Sequence, residues 1–173
     1  MAQFLRDARI ANLTVNRDAL IQLSLVFESR YQTLNIQPSE TEHKFFFYVI
    51  RFDNKGYRVF TIDELLQYFD HAKVIERVVM TVETGTSIST NRNIGAHLEL
   101  RLDEIDPNLC YLSVTSDDRD WVDASFSAVH ETLTKFKNKN SWARSDWMLL
   151  LIQLGGVFLG FVLSLWAAVA NIT

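Results

Sequence analysis

The chain has 173 residues, a net charge of −4 and a mean hydropathy of +0.02, enough for one domain with a core and without the basic face of a nucleic-acid binder. Cys110 is the single cysteine, which excludes an intrachain disulfide. Only Gly56, Gly85 and Gly95 precede the C-terminal stretch, too few for a GxGxxG dinucleotide loop or a phosphate-binding P-loop.

Residues 1–15 are weakly periodic, with Phe4, Ala8 and Ala11 on one side, and predict a short frayed helix. No basic n-region leads into an apolar run, so no signal peptide is expected. From Arg17 to Leu34 the apolar positions Leu20, Leu23, Phe27, Tyr31 and Leu34 recur in steps of three and four, the spacing of a helix. The polar stretch 35–43, with Pro38, reads as a loop.

Phe45 to Ile50 is an unbroken aromatic and β-branched run, which predicts a central strand covered on both faces. Asp53-Asn54-Lys55-Gly56 supplies a turn, and Tyr57 to Phe60 can return as a hairpin partner. Thr61 and Glu64 have the spacing of a capping box, opening a helix that carries Ile62, Leu65, Leu66 and Phe69 on one face.

A second block of strands follows. Val74, Val78, Met80 and Val82 define the face of its first member. Leu98, Leu100 and Leu102 alternate with His97, Glu99 and Arg101; Cys110, Leu112 and Val114 alternate with Tyr111, Ser113 and Thr115. The turn 103–108 makes these last two strands antiparallel neighbours. Ser116 is placed to cap a helix to about Phe136, its stripe formed by Val122, Phe126, Val129, Leu133 and Phe136. The fold class expected is α+β, a mostly antiparallel sheet of about five strands with helices packed on one face, plus one C-terminal transmembrane helix.

That last helix is read from Trp147 to Ala170, a stretch without a charged residue. As a helix it spans roughly 36 Å, against a hydrocarbon core of about 30 Å. The chain thus divides into an α+β domain, 1–137, a basic juxtamembrane linker, 138–146, and the span, 147–170. Lys135, Lys137, Lys139 and Arg144 precede the span and only Asn171 to Thr173 follow it here, so the positive-inside bias puts the domain on the cytoplasmic side; the expectation is a tail-anchored protein if Thr173 is the true end, and a second span beyond it otherwise. Trp142, Arg144, Trp147 and Trp166 are expected at the membrane interfaces. Gly156, Gly160, Ser164 and Ala168 repeat every four residues, and Gln153 precedes them, which suits close helix–helix association in lipid.

Chemistry is sparse. There is no GxSxG elbow and no HExxH helix, and His43, His71, His97 and His130 lack paired ligand spacing, so no enzyme activity, metal or cofactor is expected. Three features offer a site beside a plainer structural role. Asp117, Asp118, Asp120 and Asp123 could hold a cation but suit helix-start electrostatics better. The long polar connection 84–95, with Arg92, could bind a polar ligand, disorder being the plainer reading. The outward sheet face of His97, Glu99, Arg101, Tyr111, Ser113 and Thr115 could recognise a partner, against the plainer reading of a solvated face.

The function expected is a membrane-anchored interaction domain whose span self-associates or joins other membrane subunits, with the lipid bilayer as its other partner and no nucleic acid. The alternatives are a membrane-perturbing or channel-forming effector whose soluble domain regulates oligomerised spans, and a membrane-bound enzyme with a site at the 84–95 loop.

Overall fold

The computed structural model describes residues 3–11, 13–35, 43–137 and 146–170, in two units, Met1–Lys137 and Asn138–Thr173. The first unit is α+β. Its strands are β1 (Phe4–Arg9), β2 (Lys44–Phe52), β3 (Lys55–Val59), β4 (Ile75–Thr84), β5 (His97–Asp103) and β6 (Tyr111–Ser116). They form one sheet of order β1-β6-β5-β4-β2-β3 with every neighbouring pair antiparallel. Its helices are α1 (Arg17–Thr33), α2 (Ile62–His71), α3 (Gly85–Ser89) and α4 (Arg119–Lys135).

The core lies between one sheet face and the three longer helices. Tyr48, Ile50, Val78, Met80, Val82, Leu98, Leu100, Leu112 and Val114 point into it, and Leu20, Leu23, Phe27, Leu65, Val122, Val129 and Leu133 close it from the helices. Period-two burial on the strands and periods of three and four on the helices meet there. Removing that apolar area from water is the main drive to fold. Local signals fix the helix starts: Asn16 Oδ1 accepts from the Ala19 nitrogen at 2.8 Å, and Thr61 and Glu64 form the expected capping box.

Several expectations are corrected. Residues 4–9 are an edge strand rather than a frayed helix, which raises the count from about five strands to six. Arg6 hid the alternation: it occupies an inward position beside Val114, with its guanidinium 4.1 Å from the Phe126 ring centre and 2.8 Å from Asp123 Oδ1. Among the described residues of this unit, helices cover one side of strand β2. Tyr48 and Ile50 are buried, but Phe45 is exposed on the opposite face. There the Arg58 guanidinium lies 4.5 Å from the Phe47 ring centre and supplies a local lid, which lets an unbroken apolar run form without a second layer.

Val74 is exposed and precedes β4, because its backbone nitrogen is held by Asp53 Oδ1 at 3.2 Å. Helix α4 is capped by Asp118, which accepts from the Asp120 and Trp121 nitrogens, while Ser116 Oγ accepts from the Asp118 nitrogen one step earlier. Residues 84–95 are not a featureless loop but hold α3, with Thr84 as its cap. The loop expected at 35–43 lies almost entirely outside the described residues.

The second unit is described by helix α5 (Asp146–Ala170), 25 residues long. Its side chains are described only at 148, 150–162 and 166. Counted over the described residues, no helix is long and apolar enough to cross a membrane. The linker residues Trp142 and Arg144 and the side chains of Trp147, Ser164 and Ala168 lie outside the described residues.

Candidate functional site

Among the described residues of the first unit no long helix packs on the sheet face turned away from the core, yet several side chains of that face are buried. Strand register sets it out in rows. His97 stands between Glu83 and Thr115, Glu99 between Thr81 and Ser113, and Arg101 between Val79 and Tyr111. His97, Glu99, Glu83 and Thr81 are all buried.

The turn after α3 does the covering. Thr84 Oγ1 accepts from the Ser87 nitrogen at 3.3 Å and from the Ala96 nitrogen at 3.2 Å, tying both ends of the connection to one hydroxyl. Thr90 Oγ1 donates to the Thr86 carbonyl at 2.7 Å and accepts from the Ile94 nitrogen at 3.1 Å. Asn91 and Arg92 lie in the left-handed region at φ 53 and 66, and Gly95 at φ 89. Two successive non-glycine residues held there mark a backbone that its surroundings dictate.

This turn delivers Arg92 to the sheet. Its Nη2 donates to Glu99 Oε2 at 3.0 Å, while Tyr111 Oη donates to Oε1 of the same carboxylate. His97 Nε2 is buried 3.3 Å from Glu99 Oε2. Burial pushes the Glu99 carboxyl up, but His97, the Tyr111 hydroxyl and the Arg92 charge outweigh it and bring it down to about 2. Burial and the hydrogen bond to Glu99 raise the Tyr111 phenol.

A second ionic group lies at the other end of β5. Asp103 Oδ2 accepts from Arg77 Nε at 2.8 Å and from Arg101 Nη2 at 2.9 Å, and its Oδ1 accepts from the Asp106 nitrogen at 3.1 Å. Burial again works upward, and these donors bring the carboxyl down to about 2. Cys110 closes the same corner: its Sγ lies 3.2 Å from the Asp103 carbonyl and 3.1 Å from the Asp103 nitrogen, and burial raises the thiol. That places it among structural cysteines rather than nucleophiles.

Of the expected surface residues, the structure brings Arg92, His97, Glu99 and Tyr111 into one cluster and puts Ser113 beside Glu99. Arg101 belongs instead to the Asp103 pair. Sequence reasoning missed Asp103, Arg77, Glu83 and Thr81. Asp103 was within reach, since it continues the alternation of 97, 99 and 101, but was assigned to the turn. The aspartates at the start of α4 act structurally: Asp118 caps and Asp123 pairs with Arg6 and Arg119. Among the described residues no group of three or more His, Cys, Asp or Glu side chains could hold a metal.

Chemically the cluster is a closed ionic contact. Both oxygens of Glu99 are engaged, and the imidazole beside them is buried. A shallow cleft of about 310 Å³ lies elsewhere, lined by Val15, Phe69, Lys73, Val74, Ile75 and Glu104. On α5, Gln153, Gly156 and Gly160 are exposed, and a Cβ built at Gly156 or Gly160 would meet nothing within 4 Å. No family model, curated protein or solved structure matches this chain.

Proposed function

We propose that this protein is a membrane-anchored interaction domain: α5 crosses the bilayer, the α+β domain sits on the cytoplasmic side, and the span self-associates or joins other membrane subunits. One observation carries the reading. Helix α5 runs for 25 residues, and its single charged residue, Asp146, is its first. An all-round apolar helix of that length has no place on a water-exposed surface, and an 18-residue apolar stretch is already long enough to suggest a span. The described large apolar side chains of α5, from Leu150 to Val162 and at Trp166, are exposed, as those of a helix solvated by lipid would be. Lys135, Lys137, Lys139 and Arg144 on its N-terminal side support the orientation.

The small-residue stripe Gly156, Gly160, Ser164 and Ala168 supports association through the span, and Gln153 adds a group that gains from facing another helix. The half-covered polar sheet face supports protein contact rather than catalysis. The test is extraction of membranes holding the full chain with alkaline carbonate. Retention in the pellet is expected; release into the supernatant removes the reading. Dye release from liposomes carrying the full chain would transfer the proposal to a membrane-perturbing effector.

A further inference from the structure

We infer that one end of the outward sheet face is a docking surface for anionic phospholipid headgroups, built by five arginines that the strands gather from distant parts of the sequence. The inference rests on the membrane-anchored reading above. Strand register sets out a row of Arg9, Tyr111, Arg101, Val79, Val49 and Arg58, one residue from each of the six strands. The next row on the same face holds Asp103, Arg77 and Arg51. Neighbouring strands lie about 4.8 Å apart, so the first row crosses the sheet over about 24 Å.

Charge decides what this surface attracts. Asp103 pairs with Arg77 and Arg101, and Glu76 with Arg51, so two carboxylates answer five guanidinium groups. Arg9 and Arg58 are exposed and have no ion-pair partner among the described residues, Arg58 lying against the Phe47 ring. Glu104 and Asp106 belong to the turn beyond β5 and pair with none of the five. The other acids of this face, Asp7, Glu99 and Glu83, stand in the rows toward its opposite end. The face is therefore polarised, with its excess of positive charge confined to the arginine rows. Guanidinium groups suit phosphate, which they meet with paired donors.

Position names the occupant. Helix α4 starts toward the other end of the sheet, where Asp123 pairs with Arg6, and finishes at this one. Here the Phe136 carbonyl accepts from the Thr14 nitrogen at 3.2 Å and Leu13 bridges Lys137, shortly after β1 ends at Arg9. The chain thus leaves the domain at the arginine end. Even fully extended, the segment from Lys137 to Asp146 reaches only about 32 Å, so the surface of a bilayer that holds α5 stays close to these rows. Such a tether gives a high effective concentration, and the cytoplasmic leaflet supplies the anionic lipid that draws arginine. A polyanion free in solution has the net charge of −4 against it.

The test is modification of arginine by phenylglyoxal, read residue by residue by mass spectrometry, on the full chain in lipid nanodiscs of phosphatidylcholine alone or with roughly 30 % phosphatidylserine. In the anionic discs the rates at Arg9 and Arg58 are expected to fall about tenfold and to recover in high salt, which screens such contacts. Arg119, 72 % exposed at the start of α4, keeps its rate. In the double variant Arg9→Gln and Arg58→Gln, lipid-dependent protection of Arg51 is lost. Equal rates in the two discs, for a chain held in both, overturn the contact and leave the anchor standing; a chain recovered outside both overturns anchor and contact together. A fall at Arg119 as large as that at Arg9 and Arg58 also overturns the contact. So does stronger protection by polyglutamate in neutral discs than by the anionic lipid, which hands the surface to an acidic protein.

Discussion

A Cβ placed on Gly95 would stand 2.6 Å from Thr84 Oγ1, the hydroxyl that holds both ends of the connection between β4 and β5. The same atom would lie 2.8 Å from the Ser87 nitrogen, and Gly95 has φ 89. Space and backbone conformation therefore demand glycine here for independent reasons. Gly95→Ala should destabilise the domain by about 2 kcal/mol, from a strained φ and a displaced cap. Thermal unfolding of the full chain in detergent measures it. An unchanged midpoint would mean that the turn adapts freely.

Ser24 Oγ and Tyr48 Oη lie 2.6 Å apart in the core, the one polar contact between α1 and β2 with both partners buried among the described residues. Burial pushes the Tyr48 phenol up to about 12, with the Glu28 charge adding to it and the Ser24 hydrogen bond working against both. A phenol raised above its ordinary 10.0 stabilises the fold fully below that pH and loses the contribution as pH climbs toward 12. Ultraviolet titration should therefore show Tyr48 ionising late, as the protein unfolds in alkali. Ser24→Ala should cost about 1 kcal/mol by leaving the phenol without its partner. A Tyr48 phenol that ionised reversibly near its ordinary value would contradict the burial argument.

Glu99 and Asp103 set the acid limit. Both carboxyls are brought down to about 2 from 4.5 and 3.8 respectively. A depressed carboxyl stabilises the fold above its unfolded value and loses that contribution as pH falls through the folded one. Stability should hold down to roughly pH 4.5 and then decline toward pH 2, by an amount on the order of 3 kcal/mol for Glu99. Glu99→Gln should remove its share of that decline and lower stability at neutral pH. Denaturant unfolding at a series of pH values gives both slopes. An identical acid limb in Glu99→Gln would show the carboxylate to be ordinary in the folded state.

The sheet and helices were legible where one physical signal acted alone. Leu98, Leu100 and Leu102 alternate because β5 has one apolar and one polar face, and Thr61 with Glu64 announces α2 through hydrogen bonds made within four residues. Strand β1 was hidden because its inward Arg6 is satisfied by Asp123 and Phe126, 117 and 120 positions away in sequence. The run Phe45 to Ile50 misled because hydrophobicity reports what a side chain prefers, not whether a second layer exists. The surface residues His97, Glu99 and Tyr111 were visible as one stripe. That Arg92 closes over them depends on left-handed backbone at Asn91 and Arg92, which composition does not announce.

If the span associates through its small residues, bulk placed at the contact must act on the assembly and not on the fold of the chain. Gly156 and Gly160 allow that separation, since among the described residues a Cβ at either meets nothing within 4 Å beyond the backbone of its own helix. Leucine is also a better helix former than glycine, so the double change Gly156→Leu and Gly160→Leu should leave α5 helical. Between two helices, however, the same side chains prevent the close backbone approach on which association in lipid depends. The double variant should therefore run at smaller assembly size in detergent, by light scattering or cross-linking, with its domain unfolding unchanged. Wild-type and variant chains of equal size would place the contact on another face of α5 or in the domain, and monomer in both would remove self-association altogether.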